Sequence, residues 1–390
     1  MGVRILHAAD MHLGRRFPHL GERAEERRVD LLDTFGRICE EAIGREVAAL
    51  LIAGDLFDTY DPPADLIGAV RARFGRLARA GVRVVVIPGN HDDYWYPRSV
   101  WRQTFDAATV FTAPRFEAVS FEAGGSDVTV HGVAYNADAC ADPLGEIRRW
   151  SGINIALLHA TVDPPEHYPA ERRYYSLSRD ALRASGMDYV ALGHIHRPAT
   201  FKDASGVFAC YPGTPEGLDS TERGDRHVAL LEFDGGAPRT EMIPVNARRV
   251  ERWEIDVTDC DSAAIATKMR QLGSPDLLLT ATLTGAPLEI PNLDGLQSEA
   301  GDAFFTLEID DRTEMVRSKR IEELSAENTI RGFFIRALRE RIEAATAGRV
   351  PSGYPATEER ATLELALKLG MIELEKESAA GRAPRGYPAA

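Results

Sequence analysis

The sequence predicts a layered α/β domain followed by a smaller α/β unit and a pair of helices, and three observations carry that prediction. Short β-branched runs alternate with helix-patterned stretches over the first 240 residues. All ten histidines fall between His7 and His227, so imidazole chemistry belongs to that part of the chain. Five of the apolar runs end, at their carboxyl ends, in side chains of metal-ligand type.

In chain order the candidate strands of this first part are 3–8, 47–53, 82–87, 128–134, 153–158, 189–192, 207–211 and 227–233. Between them, 24–45 and 64–80 carry helical periodicity, with Val29, Leu32, Phe35, Ile38 and Ile43 spaced for one face of the first. After the Pro244 to Arg249 stretch, runs at 252–257, 277–283 and 304–309 with a helix at 263–272 predict a βαββ unit. Ser325 is the expected N-cap of a helix running to Ala347, and Thr357 of a second running to Glu377. The Ala, Gly and Pro content of 379–390 predicts a disordered tail. The domain reading is therefore 1–245, 246–320, 321–378 and that tail.

Composition excludes several classes. With 44% hydrophobic and 27% charged residues the chain is neither disordered nor fibrous. No apolar run approaches a membrane span, the amino-terminal run already holds His7 and Asp10, and the four cysteines show no C-x-x-C spacing. These point to a cytoplasmic protein with reduced thiols and no membrane association. The net charge of -14 argues against a binder that grips nucleic acid by surface charge alone.

The five polar strand ends are Asp10 and His12; Asp55 and Asp58 in Gly-Asp-Leu-Phe-Asp; Asn90 and His91 in Gly-Asn-His-Asp; His159; and His194 and His196 in Gly-His-Ile-His. Residues two apart in an extended segment project to one side, so D-x-H and H-x-H pairs can reach one ion or two adjacent ones. Oxygen and imidazole donors together suit Mn²⁺, Fe or Zn²⁺ better than Ca²⁺ or a thiolate-bound metal. Seven donors are too many for one tetrahedral ion and suit two ions bridged by a carboxylate. Any one of these short runs is weak by itself; five in order, each at a strand end, form a site. His7, His131 and His227 are expected to be structural.

This ordered set, DMH, GDLFD, GNHD, LLHA and GHIH, resembles the calcineurin-like metallophosphoesterases over roughly residues 3–215. The resemblance implies a four-layer αββα sandwich with a dinuclear centre, most simply of two Mn²⁺ ions, with Fe, Zn²⁺ or Mg²⁺ as alternatives. It assigns Asp10, His12, Asp55 and His196 to one ion and Asp55, Asn90, His159 and His194 to the other. His91 would be the proton donor and Asp58 its orienting carboxylate, with a metal-activated water as nucleophile. Asp10 to Gly14, Ala191 to His196 and Tyr-Pro-Gly-Thr-Pro-Glu-Gly at 211–217 look like the SbcD and YhaO type of DNA-repair exonuclease. Those are bacterial relatives of the meiotic-recombination nuclease that works with a coiled-coil ATPase. The likeness implies DNA and an SbcC-like ATPase as partners, with 246–320 as a capping domain. Homodimerisation through the helical pair, a phosphoesterase acting on small esters, and a scaffold subunit with a vestigial metal site are the alternatives.

Overall fold

The computed structural model describes residues 2–135, 143–163, 175–289, 291–313, 318–350 and 355–379, so the expected tail lies outside the described residues apart from its first position. The chain divides into two compact units, Met1–Glu251 and Arg252–Ala390.

The strands of the first unit are β1 (Val3–Ala8), β2 (Ala49–Ala53), β3 (Arg83–Ile87), β4 (Thr109–Val110), β5 (Glu117–Ala123), β6 (Ser126–Gly132), β7 (Ile153–His159), β8 (Tyr189–Gly193), β9 (Ala199–Asp203), β10 (Gly206–Tyr211), β11 (His227–Phe233) and β12 (Arg239–Pro244). They form two six-stranded sheets, ordered β12-β11-β1-β2-β3-β4 and β5-β6-β7-β8-β10-β9. In the first, β1 to β4 pair in parallel and β11 and β12 add antiparallel pairs at one side; in the second, a parallel centre from β6 to β10 is flanked by an antiparallel strand at each edge. The expected runs at 3–8 and 227–233 match β1 and β11, and the others differ only at their ends.

Side-chain alternation turns these sheets into layers. Ile5, Leu51, Val85 and Ile87 point between the sheets and meet Val130, Ile155, Leu157 and Ala191. Leu6, Leu50, Ile52, Val84 and Val86 point the other way, onto Leu31, Phe35 and Ile38 of α1 (Ala24–Gly44) and Val70 and Phe74 of α2 (Ala64–Arg79). On the far face of the second sheet Leu158, Val190 and Leu192 pack with Leu182 of α3 (Arg179–Ala184) and with Tyr175 and Leu177. Strands covered on both faces must be apolar at every position, which is why their runs read as continuous. The result is the αββα sandwich.

The four strands that apolar runs do not reveal, β4, β5, β9 and β12, are the four sheet edges. Edge strands face water and carry charge, as in Ala-Thr-Phe-Lys-Asp and Arg-Thr-Glu-Met-Ile-Pro, so no continuous run marks them.

The chain passes into the second unit within β13 (Arg249–Asp256), which with β14 (Leu277–Thr284) and β15 (Thr306–Asp311) forms the sheet β13-β14-β15, with helices α4 (Ser262–Gln271) and α5 (Leu293–Ala300). Its order is βαβαβ and not βαββ. The overlooked helix is eight residues long and contains an interior glycine, too short for a periodic stripe, but Asn292 caps it by accepting from the Gly295 amide at 3.1 Å. Ile255, Val257, Ile265, Met269, Leu279, Leu283, Leu296 and Phe304 form the core of this layer pair.

Three helices follow: α6 (Ser318–Ser325), α7 (Ile330–Thr346) and α8 (Ala356–Ala379). Ser325 ends α6 and does not cap α7; its hydroxyl donates to the Glu322 carbonyl at 2.8 Å. The cap is Thr329, whose extended backbone (φ -125°, ψ 166°) aims its hydroxyl at the Gly332 amide. Leu324, Ile335, Leu367 and Met371 form the buried centre of the bundle, with Phe334, Leu338 and Ile342 partly buried against it.

Candidate metal centre

Parallel strands in both sheets put the carboxyl ends of β1, β2, β3, β7 and β8 at one end of the sandwich, and the five polar groups follow those ends. Beyond β1 and β2 the two chains keep pairing: the His12 amide donates to the Asp55 carbonyl at 3.0 Å, Leu13 to Leu56 at 2.9 Å and Asp58 to Leu13 at 3.0 Å. In this stretch Asp10, His12 and Asp55 take left-handed backbone angles, φ 53°, 47° and 49°, and His194 across the site has φ 97°. Non-glycine residues rarely accept such angles, and these sit on four of the seven expected ligands, where surrounding hydrogen bonds hold the strain.

Two glycines let the strand ends close on one another. A Cβ on Gly193 would lie 1.8 Å from the Ala53 carbonyl, and one on Gly54 would lie 2.2 Å from His159 Nδ1. The second contact occupies the same space as the bond that orients His159, whose Nδ1–H donates to the Ala53 carbonyl at 2.9 Å.

All seven expected ligands converge in two overlapping sets. In the first, His12 Nδ1–H donates to Asp58 Oδ1 at 3.2 Å and His196 Nδ1–H to Glu222 Oε1 at 2.6 Å. With Nδ1 engaged outward, each ring turns its Nε2 inward, where the two Nε2 atoms lie 3.1 Å apart, with Asp55 Oδ2 at 3.7 Å from that of His12. In the second, His159 Nε2 is 2.9 Å from Asn90 Oδ1 and 3.4 Å from Asp55 Oδ2, and His194 Nδ1 is 3.3 Å from Asn90 Oδ1. Imidazole nitrogens and side-chain oxygens crowded this closely need positive charge among them, from ring protons or from bound cations. The donor set is one that would accommodate divalent cations.

The electrostatics agree. Burial would raise Asp55, but His159, His12 and His91 hold its carboxyl well below the usual carboxylate range. Burial lowers the basicity of His159, yet Asp55 and Asp10 more than reverse this and bring it to about 9. Asp10 is raised by burial despite the imidazoles around it, while the His194 amide donates to it at 2.9 Å. Behind the site, burial and the Asp55 charge push Asp92 up to about 7, against the Gly89 and Phe57 amides that donate to its carboxyl.

His91 lies at the rim, half exposed, with its ring edge-on to that of His12 at 4.6 Å. Its Nδ1–H donates to the backbone carbonyl of Asp58 at 3.2 Å, and the Asp58 carboxylate is farther, at 3.9 Å. That carboxylate sits closer to His12 and to Arg15, 3.5 Å away. Asp58 thus orients two histidines by two different atoms, and the carbonyl is the one that touches His91.

Sequence patterns do not single out Glu222. Besides His196, it accepts from the Thr214 hydroxyl at 3.0 Å and the Leu218 amide at 2.8 Å, and Arg226 bonds both Thr214 and the His196 carbonyl. Burial raises it, but the hydrogen bond and charge of His196 hold it low. The signal that could have led to it is the 211–217 segment, whose Thr214 shares this network. The expected structural histidines are placed away from the site: His7 Nδ1 is 3.2 Å from the Tyr189 hydroxyl and His131 Nε2 is 3.1 Å from Asn154 Oδ1.

The calcineurin-like phosphoesterase family model matches residues 3–198. The chain is 29% identical over 344 residues to the uncharacterized metallophosphoesterase YhaO of Bacillus subtilis, covering 80% of this chain and 82% of that one. It is 28% identical over 263 residues to the DNA double-strand break repair protein Mre11 of Sulfurisphaera tokodaii, covering 63% of this chain and 64% of that one. To the SbcD component of the SbcCD nuclease of Bacillus subtilis it is 28% identical over 289 residues, with 65% and 72% covered. It thus spans just under two thirds of the archaeal relative's length. No helix among the described residues is long and apolar enough to cross a membrane.

Proposed function

The chain belongs to the calcineurin-like phosphoesterases, and from that premise we propose that it is a metal-dependent DNA phosphodiesterase, the nuclease subunit of a DNA-repair complex. The observation that carries the nuclease reading is the extent of the similarity: it runs well past the family's 3–198, and two of the relatives are named for DNA repair or nuclease activity.

Asp10, His12, Asp55 and His196 would hold one ion and Asp55, Asn90, His159 and His194 the other. Two divalent ions, Mn²⁺ being the first to test, supply Lewis acidity toward a phosphodiester and lower the pKa of a water. The chain does the rest. Glu222, Asp58 and the Ala53 carbonyl hold His196, His12 and His159 in the tautomers that leave one lone pair facing inward. His91, with Nδ1–H fixed on the Asp58 carbonyl, presents Nε2 as the atom that passes a proton to the departing oxygen. Arg15, beside Asp58 at the rim, is placed to meet a phosphate oxygen.

The net charge of -14 sits against a DNA substrate. Bound cations invert the local potential at the cleft, and a coiled-coil ATPase partner would add the remaining grip. We assign the apolar residues left exposed on α7 and α8 to that partner.

The test is hydrolysis by the metal-loaded chain, in Mn²⁺, Mg²⁺ and Zn²⁺, of single- and double-stranded DNA beside bis(4-nitrophenyl) phosphate and nucleotide monoesters. Cleavage of DNA with a preference for one metal supports the reading. Turnover of small esters with none of DNA, partner present or absent, replaces it with a small-molecule phosphoesterase.

A further inference from the structure

Four aromatic side chains follow His91 closely, Tyr94, Trp95, Tyr96 and Trp101, and the structure separates them: Tyr94 is partly buried against the core. Trp101 is buried against Phe57 and Phe105. Trp95 and Tyr96 are 45% and 47% exposed, two of the few large apolar groups on the first unit that face water.

Their backbone is not loose. The Trp95 amide donates to Asp93 at 2.9 Å, Arg102 donates to the Tyr96 carbonyl at 3.0 Å, and the Arg102 guanidinium lies over the Tyr94 ring. The loop is also tied to the segment that follows Asp58: the Val100 amide donates to the Tyr60 carbonyl at 2.7 Å and Arg98 pairs with Asp61 at 3.2 Å. Between those two ties the rings of Tyr60 and Tyr96 stack, centroids 4.1 Å apart and planes 12° from parallel. Tyr60 is two residues from Asp58, so its Cα lies within roughly 7 Å of that of the residue that fixes His91. A rigid loop that holds aromatic rings in water gains nothing for folding from their exposure. Flat, pre-ordered π faces at a phosphodiesterase rim match a nucleobase, which any sequence can supply.

We propose that Tyr96, backed by Tyr60 and flanked by Trp95, is a subsite that stacks one unpaired nucleobase on the His91 side of the scissile phosphate. The inference rests on the DNA reading above and deepens it. A base in a continuous duplex has both faces covered by its neighbours, so this subsite selects a nucleotide that is unpaired or frayed.

The probe is a short single-stranded oligonucleotide carrying 2-aminopurine, whose fluorescence falls when the base stacks, read with the full-length chain in Ca²⁺. Quenching in wild type that is lost in Tyr96→Ala and kept in Tyr96→Phe is the expected result. In the same variants, kcat/KM for the nitrophenyl ester of a thymidine phosphate is compared with that for bis(4-nitrophenyl) phosphate, which has no base. Tyr96→Ala should lower the ratio of the two about five- to a hundred-fold, mainly through KM. No quenching in wild type overturns the subsite, and so does an equal loss on both esters, which would make Tyr96 a support of the site's fold. Quenching together with no cutting of any DNA keeps the base subsite and overturns only the nuclease reading.

Discussion

At the strand ends of the first unit, Asp10, His12 and His159 are polar side chains with no exposed surface, while on α7 of the second unit Ile330 and Phe333 are apolar and 84% and 61% exposed. Both regions reverse the ordinary distribution of residues, in opposite directions. Buried charge is costly unless paired, so the first reversal calls for positive charge, which the imidazoles supply in part and bound cations would complete. Exposed apolar surface is costly only in proportion to area, so the second can persist until a partner covers it. The first region should therefore be intolerant of change in stability and chemistry together, and the second should separate the two.

The largest effect expected is at Asp55, the carboxylate proposed to serve both ions. Asp55→Ala should lose both ions and all measurable phosphoesterase activity. Metal content by mass spectrometry checks it, and a variant that retains one tightly held ion would show that the two sets do not share this bridge.

His91 tests chemistry apart from metal holding. His91→Ala should keep its metals yet lose about 10² to 10⁴ in turnover on DNA. A nitrophenolate leaving group needs no proton, so the loss on a nitrophenyl ester should be much smaller. A matching loss of metal would move His91 into the ligand set instead.

Glu222 separates the two halves of the centre. Of the proposed ligands it holds His196, whereas His159 is fixed by a backbone carbonyl that no substitution removes. Glu222→Gln should weaken one of two calorimetric binding steps roughly ten- to a hundred-fold and leave the other in place. Equal weakening of both would show that Glu222 supports the whole centre and not His196.

These residues differ in how readable they are. Asp10, Asp55, Asn90, His159 and His194 each end an apolar run, and a two-faced strand in a layered sheet announces its carboxyl end in the sequence. Glu222 sits in a loop with no periodic neighbour, and its role comes only from where Thr214, Leu218 and His196 meet in space. Asp58 is visible as the second acid of the Gly-Asp-Leu-Phe-Asp run, but that its carbonyl and not its carboxylate bonds His91 is a property of backbone path. The edge strands and α5 are hidden for a related reason: their burial is one-sided or their length short, so no pattern of hydrophobicity accumulates.

A pH titration separates the units again, because histidine is confined to the first. His7 is buried on β1, and desolvation pushes its pKa down to about 3. A lowered histidine pKa means that the unfolded chain takes up a proton which the native state refuses. His7 thus costs nothing above about pH 6.5, and below it this group makes stability fall with pH toward 3, by up to about 1.4 kcal/mol per pH unit. Denaturant melts of the metal-free chain between pH 6.5 and 4 should show this slope, flattened in His7→Gln. Parallel slopes would mean that other groups govern the acid limb.

The smallest change in stability is expected where the proposed partner effect is greatest. On α7, Ile335 is buried in the bundle, while Ile330 and Phe333, spaced i and i+3, face water. Ile335→Ala opens a cavity and should cost about 2 to 5 kcal/mol. Ile330→Ser with Phe333→Ser removes only exposed packing, chiefly the Arg336 guanidinium over the Phe333 ring, and should change stability by no more than about 0.5 kcal/mol. The double variant should keep full activity on bis(4-nitrophenyl) phosphate, since it changes none of the proposed ligands nor His91. If the exposed pair is where a coiled-coil ATPase docks, the same variant should fail to co-purify with that ATPase and lose ATP-dependent cutting of duplex DNA. Deleting the helices outright would confuse docking with folding, because Leu324, Ile335, Leu367 and Met371 share one core. The paired substitutions avoid that confusion: undiminished association would place the docking surface elsewhere, and a large loss of stability would show that α7 is covered by the chain itself.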